Sequence, residues 1–521
     1  MKKIAADFSF SHHSLNFYVF TFLKKPRKSL LNIYTVAVSD RMEITMLDFS
    51  QWKSAEKPLR FFEEFSRIPR GSGNCAAIAD YLVNFAKERN LYYTRDEFNN
   101  VVIRKPATPG YENRPTVVFQ GHTDIVAEKT PESVKNLEKE GLDLYIDGDF
   151  LRAKDTTLGG DDGVAIAYAL AVLDGSETEH PEFEALFTSD EEIGLIGAGA
   201  LKKDDLKGRL LINIDSDAEG IFTVGCAGGV RSDISLPVRY ESARSAKAYR
   251  VRLHGFKGGH SGVEIDKGRA NAIKTFAEIL NCIFDINIAS VKAGNADNAI
   301  PRECEAVICA KKDSFVDELW HCFEARKNIL RDIEPDITLE VSELTAPTEC
   351  LDTDSTEDLI SILVQLPSGV VAMSKALPGL VETSLNLGIL RLGKENADIS
   401  FSVRSAVGEE KRKLCERLRE IAEKFNASYG ERGEYPAWEY REKSHLRDVM
   451  VKVYRELYSK EAEVITIHAG LECGIFSNIF PDIDCVSIGP DNFDIHTTEE
   501  RLSLSSFERV WDFLRAVLKN I

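Results

Sequence analysis

A histidine and an aspartate lie two positions apart directly after an apolar run, in the stretch VVFQGHTDIV at residues 117–126. Residues i and i+2 of an extended segment point to the same side, so His122 and Asp124 can face one cleft together. A histidine that binds a metal ion usually has its second ring nitrogen held by a carboxylate or a carbonyl group, which Asp124 can supply. The pair therefore predicts a metal ligand and the residue that orients it.

Other residues with metal-binding side chains follow other short apolar runs. The runs EALFT, LLINI and CVSIG are each followed by acidic residues or a histidine, and TTLGGDDG opens an apolar helical pattern with two aspartates. These further candidates are Asp161, Asp162, Glu191, Glu192, Asp215 and His496. Imidazole and carboxylate groups together suit zinc, manganese or cobalt, whereas an all-oxygen set would suit magnesium or calcium.

Each of these motifs also has an explanation without a metal. A single His-x-Asp pair is more often a turn hydrogen bond, GGDDG can be a helix N-cap, and DEE can be a solvated turn. Their coincidence at successive strand ends of one predicted domain favours a site. Two histidines and three carboxylates make up a dinuclear site when one carboxylate bridges two metal ions about 4 Å apart.

The segments around these residues alternate between helical and β-branched patterns. Apolar residues recur at helical spacing in PLRFFEEFSRI and AAIADYLVNFAKERN, and strands are predicted at NVVIRK, TVVFQ, EALFT, LLINI and CVSIG. This alternation predicts an α/β fold with a mostly parallel central sheet. The candidate ligands then lie at the carboxyl ends of strands or at the start of a helix, where open α/β sheets form their sites.

The composition argues against two classes of partner. The chain has 521 residues, 43% of them hydrophobic, so more than one domain with an ordinary core is expected. Its 65 lysines and arginines against 84 acidic residues give a net charge of −19, which nucleic-acid phosphates and anionic lipids repel. Neither nucleic acid nor a membrane is therefore expected as a partner.

The cysteines and the N-terminus both bear on the cellular compartment. The ten cysteines are scattered and include no CxxC pair, which predicts reduced thiols of a cytoplasmic protein. The apolar stretch LNFYVFTFL (residues 15–23) is too short to span a bilayer, and no cleavage site of small residues follows it. Globular patterning starts near Met42 or Met46, so residues 1–41 are expected to be an extension outside the fold.

Eight segments occur in a characteristic order along the chain. They are GHTDIVAEK, LGGDDGVAIAYALAVL, TSDEEIGLIGA, LINIDSDAEG, GGHSG, NAIPRE, HAGLECGIFS and SIGPDNFDIHTTEERLSL. Together they resemble the M20 metallopeptidases, and within that family the aminoacyl-histidine dipeptidase branch. The resemblance covers residues 45–521, and eight motifs in order are far more specific than any one of them.

This resemblance implies a zinc-peptidase-like site with two metal ions. His122, Asp161 and Asp215 would hold one ion, and Asp161, Glu192 and His496 the other, so that Asp161 bridges them. Zinc is the metal that the resemblance favours, with cobalt or manganese as alternatives. The ligands found from strand ends and those implied by the family are the same residues.

The resemblance also implies the reaction. Glu191 would deprotonate a metal-bridging water that attacks the peptide carbonyl, and Asp124 would orient His122. The implied activity is hydrolysis of dipeptides with broad specificity, Xaa-His dipeptides among them. Related enzymes commonly have asparagine where this chain has Asp162, and the family implies a cis peptide bond between Asp161 and Asp162.

The middle of the chain, residues 228–432, has a different pattern from the rest. Strand, helix, strand, strand, helix occurs there twice, which predicts an α+β insertion of two ferredoxin-like halves. By resemblance this insertion is a lid that closes over the site. The catalytic domain would then consist of residues 42–227 and 433–521.

Four further residues are expected to contact the substrate. By resemblance, His260 would donate to the oxyanion or to the substrate carboxylate, and Asn298 and Arg404 would hold the terminal carboxylate of a dipeptide. Asn298 and Arg404 can equally belong to a turn and to a surface ion pair. Glu472 could hold a substrate amine, although a helix start after a tight turn explains the same residues.

Two other functions and two oligomeric states stay open at this point. The chain could have another M20 activity, as a tripeptidase, a carboxypeptidase or an N-acyl-amino-acid deacylase, or it could be a binding protein without catalysis. The presence of Glu191 and of all five ligands argues against the second alternative. Both a monomer and a homodimer are compatible with the sequence, because a doubled lid can replace what a partner subunit supplies in shorter relatives.

Overall fold

The computed structural model describes residues 46–521 except 176, 244–246 and 376–377. The predicted N-terminal extension, residues 1–41, lies outside the described residues. Leu47–Ile521 form one compact unit. No helix in the described part of the chain is both long enough and apolar enough to cross a membrane.

Eleven α-helices and twenty-five strands lie in the described residues. The helices are α1 (Glu56–Phe65), α2 (Ala76–Glu88), α3 (Gly160–Asp174), α4 (Ile196–Ala200), α5 (Ala272–Leu280), α6 (Phe315–Leu330), α7 (Thr353–Gln365), α8 (Gly408–Lys424), α9 (His445–Tyr458), α10 (Glu472–Ile479) and α11 (Leu504–Asn520). The strands are β1 (Tyr92–Arg95), β2 (Val101–Lys105), β3 (Val117–His122), β4 (Leu144–Asp147), β5 (Phe150–Ala153), β6 (Phe183–Thr188), β7 (Leu210–Asn213), β8 (Ile221–Cys226), β9 (Gly228–Pro237), β10 (Tyr240–Ser242), β11 (Lys247–His254), β12 (Gly259–His260), β13 (Ile286–Ala293), β14 (Ala299–Ile300), β15 (Cys304–Ala310), β16 (Thr338–Leu344), β17 (Glu349–Leu351), β18 (Gly369–Met373), β19 (Val381–Leu392), β20 (Asn396–Ser405), β21 (Ser428–Tyr435), β22 (Glu463–Ile467), β23 (Asp484–Ser487), β24 (Asn492–Phe493) and β25 (Arg501–Ser503).

An eight-stranded sheet has the strand order β1-β2-β6-β3-β7-β23-β8-β22. The pairs β6–β3, β3–β7, β7–β23 and β8–β22 are parallel, which confirms the predicted mostly parallel sheet. The pairs β1–β2, β2–β6 and β23–β8 are antiparallel. Because β6, β3, β7 and β23 are adjacent and run in one direction, their carboxyl ends meet at one edge of the sheet.

Both faces of this sheet are buried. In β3, Val117 and Phe119 pack into a core with α1, α3 and α11, while Val118 packs on the other side with residues of α4 and α10. Successive strand residues point to opposite faces, so a strand covered on both sides is a continuous apolar run. That arrangement explains the unbroken apolar run in TVVFQ. Helix α3 lies directly against β3.

A nine-stranded antiparallel sheet is built from strands between Gly228 and Tyr435. Its order is β16-β11-β15-β13-β19-β20-β9-β21, with β18 also paired to β19. Helices α5, α6, α7 and α8 share one core on one of its faces. The face opposite these helices carries charged residues such as Arg252 and Glu303.

Each half of this sheet has the βαββαβ order of a ferredoxin-like unit. One half consists of β11, α5, β13, β15, α6 and β16, and the other of β9, α7, β19, β20, α8 and β21. In both halves the strands lie in the order fourth, first, third, second. The halves are nested in sequence, since β9 precedes the whole of the first half, whereas the repeated pattern had suggested two consecutive units. The division into domains and the lid role stay predictions.

Candidate metal centre

The carboxyl ends of the parallel strands carry most of the predicted ligands. His122 is the last residue of β3, Glu191 and Glu192 follow β6, and Asp215 follows β7. Asp161 lies at the start of α3, which packs against β3. The strand order therefore brings residues that are far apart in sequence to one edge of the sheet.

The side chains of His122 and His496 meet on the two carboxylate oxygens of Asp161. His122 Nε2 lies 2.9 Å from Asp161 Oδ1, and His496 Nε2 lies 3.0 Å from Asp161 Oδ2. His122 Nε2 is also 3.5 Å from Asp215 Oδ1, and His496 Nε2 is 2.9 Å from Glu192 Oε1. The structure thus brings all five predicted ligands together, in two groups that share Asp161.

The cluster concentrates negative charge in a buried place. Burial raises the pKa of Asp215 to about 6 and that of Glu191 well above its usual range, and neighbouring carboxylates add to both shifts. Hydrogen bonds to Asp161 and Glu192 raise the pKa of His496 to about 10. A buried cluster of carboxylates attracts positive charge, and a donor set of imidazoles and carboxylates fits divalent cations of the zinc type.

The ring of His122 is held in one tautomer by Asp124. His122 Nδ1 donates a hydrogen bond of 3.0 Å to the backbone carbonyl of Asp124, and the carboxylate Oδ1 of the same residue lies 3.4 Å away. With Nδ1 protonated, Nε2 presents its lone pair to the cluster. The predicted orienting residue therefore acts through its main chain as well as its side chain.

The Asp124 carboxylate also ties two loops of the site together. Its oxygens accept hydrogen bonds from the backbone N–H groups of Glu191 (3.0 Å) and Glu192 (3.3 Å) and from the hydroxyl of Ser72 (2.8 Å). Asp124 is fully buried. The loop with the two glutamates is thus fixed relative to His122.

Asp162 faces the backbone of β3 and not the cluster. Its carboxylate accepts hydrogen bonds from the N–H groups of His122 (3.2 Å) and Ala165 (3.3 Å). Burial raises the pKa of Asp162 well above its usual range, so it resembles the neutral asparagine of related enzymes. A Cβ on Gly121 would lie 2.2 Å from Asp162 Oδ2, so this approach requires glycine. The peptide bond between Asp161 and Asp162 is cis, as the family resemblance implies.

Glu500 holds the loop that carries Asp161, and the sequence reasoning missed it. Its carboxylate accepts hydrogen bonds from the N–H groups of Leu158 (2.8 Å), Gly159 (2.9 Å) and Gly160 (2.9 Å). Glu500 is 3% exposed. It lies in the quoted stretch HTTEERLSL, where only its place in a family motif distinguished it from a surface glutamate.

Arg70 is a second supporting residue that the sequence did not reveal. Its guanidinium donates to the carbonyl oxygens of Thr123 (2.9 Å) and Gly159 (2.6 Å), and the side chain is 1% exposed. Gly159 has a φ of +68°, which favours glycine, and a Cβ there would lie 2.8 Å from Arg70 Nη2. Arg70 therefore joins the His122 segment to the Asp161 loop.

His260 and Asn298 lie on paired segments of the chain. His260 in β12 is opposite Ala299 in β14, and the N–H of Ser261 donates to the carbonyl of Asn298 (2.8 Å). Both residues line a cleft of about 1130 Å³. The N–H groups of Gly262 and Val263 donate to His260 Nδ1, so the other ring nitrogen is the one that can donate to a ligand.

Arg404 lies near His260 and near His468, which the sequence reasoning did not single out. Burial and then the charge of Arg404 lower the pKa of His260, and the same two causes lower that of His468 to about 4. His468 Nε2 lies 2.7 Å from the hydroxyl of Ser384, which pairs with Arg404 across β19 and β20. Arg404 itself donates to the hydroxyl of Tyr435 (3.0 Å).

Glu472 is fully buried at the start of α10. It accepts hydrogen bonds from Gln120 (2.5 Å) and Thr188 (2.8 Å), and burial raises its pKa to about 7. Its predicted contact with a substrate amine stays a prediction. Within the described residues, no hydrogen bond or ion pair links His260, Asn298 or Arg404 to the five clustered ligands.

Comparisons with known proteins point to one class of protein, the peptidases of one family. The profile of the peptidase family M20/M25/M40 matches residues 118–520. The cytosol non-specific dipeptidase of Escherichia coli (strain K12) is 35% identical over 467 residues, which cover 88% of this chain and 96% of that protein. The crystal structure of aminoacylhistidine dipeptidase from Vibrio alginolyticus matches with a TM-score of 0.84 and 33% identity, over 89% of this chain and 96% of that one.

The structure of aminopeptidase PepT from Bacillus cereus, with a TM-score of 0.52 and 16% identity over 89% of this chain and 98% of that one, shows the shared fold alone. The chain belongs to the peptidase family M20/M25/M40, which confirms the resemblance seen in its motifs. It is a peptide hydrolase, as the names of its relatives indicate.

Proposed function

We propose that the protein is a dinuclear metal-dependent dipeptidase. The observation that carries the proposal is the position of Asp161, whose two carboxylate oxygens each face one histidine. His122, Asp161 and Asp215 would hold one ion, and Asp161, Glu192 and His496 the other. The Escherichia coli and Vibrio alginolyticus relatives, at 35% and 33% identity, are named as dipeptidases, which supports dipeptides as the substrate class.

When bound, divalent cations would polarise the scissile carbonyl and lower the pKa of a water molecule. Glu191 takes a proton from the attacking water and passes it to the departing amine. Two features support this role: the N–H of Glu191 is fixed by Asp124, and burial raises the pKa of the Glu191 carboxyl. Glu192, its neighbour in sequence, faces His496 instead.

The C-terminal carboxylate of the dipeptide would be held by His260, Asn298 and Arg404. His260 and Asn298 line one cleft, and the charge of Arg404 acts on His260. A guanidinium beside a neutral imidazole that donates through its free nitrogen suits a carboxylate ligand. We extend the proposal to Xaa-His dipeptides among other substrates and to a cytoplasmic location, which agree with the names of the relatives. We also extend it to zinc as the metal, because imidazole and carboxylate donors suit zinc.

A substrate panel with zinc supplied tests the proposed function. Xaa-His dipeptides and other dipeptides are compared with tripeptides and N-acyl amino acids, by following the release of free amino acids. We expect the highest kcat/KM for dipeptides. Faster turnover of tripeptides or acyl amino acids would assign another M20 activity, and no turnover of any of these compounds would contradict catalysis on this site.

A further inference from the structure

A groove of about 720 Å³ opens beside Glu192 and has no part in the chemistry described above. Its walls are the turn at residues 71–74 and the loop at residues 125–138, and Ile193 lies at the end next to Glu192. This volume is in the range of about 300 to 1,000 Å³ that small-molecule sites occupy. The groove is thus large enough for a substrate side chain, and it borders the predicted metal ligand Glu192.

The lining of the groove is mixed, with six apolar side chains beside polar and charged ones that include Lys129, Lys135 and Glu138. The apolar residues are Ile125, Val126, Ala127, Val134, Leu137 and Ile193. Ile193, which follows Glu192 in the chain, is 57% exposed, and Val134 is 99% exposed. Covering apolar surface of this kind with an apolar side chain is favourable. An aliphatic or aromatic side chain is the ligand chemistry that the apolar part of this lining fits.

Hydrogen bonds fix the walls and connect them to the catalytic loop. The N–H of Gly73 donates to Asp190 (2.6 Å), and the amide of Asn74 donates to the carbonyl of Glu138 (3.1 Å), which joins the two walls. Ser72 donates to Asp124 (2.8 Å), the residue that also holds the N–H groups of both glutamates. The groove is therefore part of the same rigid assembly as Glu191.

We propose that this groove binds the side chain of the N-terminal residue of the substrate and gives the enzyme a preference for large apolar residues at that position. The inference rests on the proposed function, in which His260, Asn298 and Arg404 hold the C-terminal end. None of these three residues lines the groove. With the scissile carbonyl at the metal ligands, the groove beside Glu192 is left for the other end of the dipeptide.

Filling the groove tests the inference by steric exclusion. Ala127 is exposed and lines the groove, so Ala127→Phe would occupy the space without entering a packed core. We expect kcat/KM for Phe-Ala to fall at least ~10-fold while that for Gly-Ala changes by less than about twofold, the size of effect that pocket contacts produce. An equal effect on both dipeptides, or no effect on either, would overturn the inference.

Two variants of opposite charge at Val134 give a second, independent test. Val134→Glu should raise the ratio of kcat/KM for Lys-Ala over Glu-Ala, and Val134→Lys should lower it, each ~10-fold, because the introduced charge faces the N-terminal side chain. Ile329→Glu, on α6 and 69% exposed, is the matched control outside the groove and should leave the ratio unchanged.

The outcomes separate the two claims. If the wild-type enzyme with zinc hydrolyses none of Phe-Ala, Gly-Ala, Lys-Ala and Glu-Ala, the proposed function fails and the inference fails with it. If the wild type hydrolyses them and neither Ala127→Phe nor the Val134 pair changes the ratios, only the inference on the groove fails. Metal content measured on every variant identifies changes that act through the metal centre.

Discussion

The two large sheets of this protein handle charge in opposite ways. At the edge of the eight-stranded sheet, His122, Asp124, Asp162, Glu472 and Glu500 are each 3% exposed or less. On the nine-stranded sheet, pairs such as Arg252 with Glu303 lie on the open face with 40% and 54% of their side chains exposed. The first arrangement costs desolvation and is stable only when every charge has partners, whereas the second costs little.

The comparison indicates where function resides. Buried charge that is hydrogen-bonded to backbone groups, as for Asp124 and Glu500, fixes the geometry of a reactive cluster. The nine-stranded sheet gains its stability from a shared apolar core with four helices. Conservative substitutions of charged residues should therefore lower the free energy of unfolding more in the first region than on the open face of the second.

The largest effect is expected for the proposed base. Glu191→Gln keeps the size of the side chain and the hydrogen bond from the backbone N–H to Asp124 but removes the ability to take a proton, so kcat should fall by roughly 10² to 10⁴-fold. Steady-state kinetics with a dipeptide measure the change in kcat, and metal analysis shows whether the variant retains its metals. The exposed Glu97→Gln is the control, and near-normal turnover of Glu191→Gln with its metals retained contradicts the assignment.

One substitution made in both regions tests the comparison directly. Arg104 pairs with the fully buried Glu184 (2.6 Å) on neighbouring strands of the eight-stranded sheet. Arg104→Gln leaves that carboxylate without its charged partner, and the free energy of unfolding should fall by about 3 kcal/mol. Arg252→Gln, which removes the exposed pair with Glu303, should not change the unfolding midpoint. Equal effects in urea denaturation of the two variants would remove the distinction.

A smaller effect is expected at the residue that supports the Asp161 loop. In Glu500→Gln, one oxygen that accepts backbone N–H groups becomes a donor, which leaves buried amides unpaired at a cost of about 1 to 3 kcal/mol. The unfolding midpoint and the zinc affinity should both decrease. Glu499→Gln, at an exposed neighbouring position, is the control. Unchanged zinc affinity in Glu500→Gln would show that the loop does not depend on this carboxylate.

The sequence predicted the clustered residues because each follows a strand or starts a helix. His122, Asp215 and the Glu191–Glu192 pair come directly after apolar runs, and a parallel sheet brings such ends together. Arg70 and Glu500 could not be found in this way, since an isolated charged residue in a loop is ordinarily on the surface. Only the packing of distant segments shows that both are buried.

The α/β class and both ferredoxin-like halves were also predictable from local patterns. The nesting of the halves was not predictable from local patterns. It depends on the pairing of β9 with β20 and β21, more than 150 residues away in the chain. The strand pairing between the halves consists of the pairs Lys292–Arg391 and Ala293–Leu390 on β13 and β19. Long-range strand pairing of this kind leaves no periodic signal in either segment.

The central claim is that five side chains distant in sequence hold two divalent cations through a shared Asp161. Metal analysis of the purified protein after zinc loading and dialysis tests it most directly. We expect two zinc ions per chain in the wild type, fewer in His122→Ala and in His496→Ala, and loss of dipeptide hydrolysis in parallel with the metal. Full dipeptidase activity in protein that retains no divalent metal would contradict the claim.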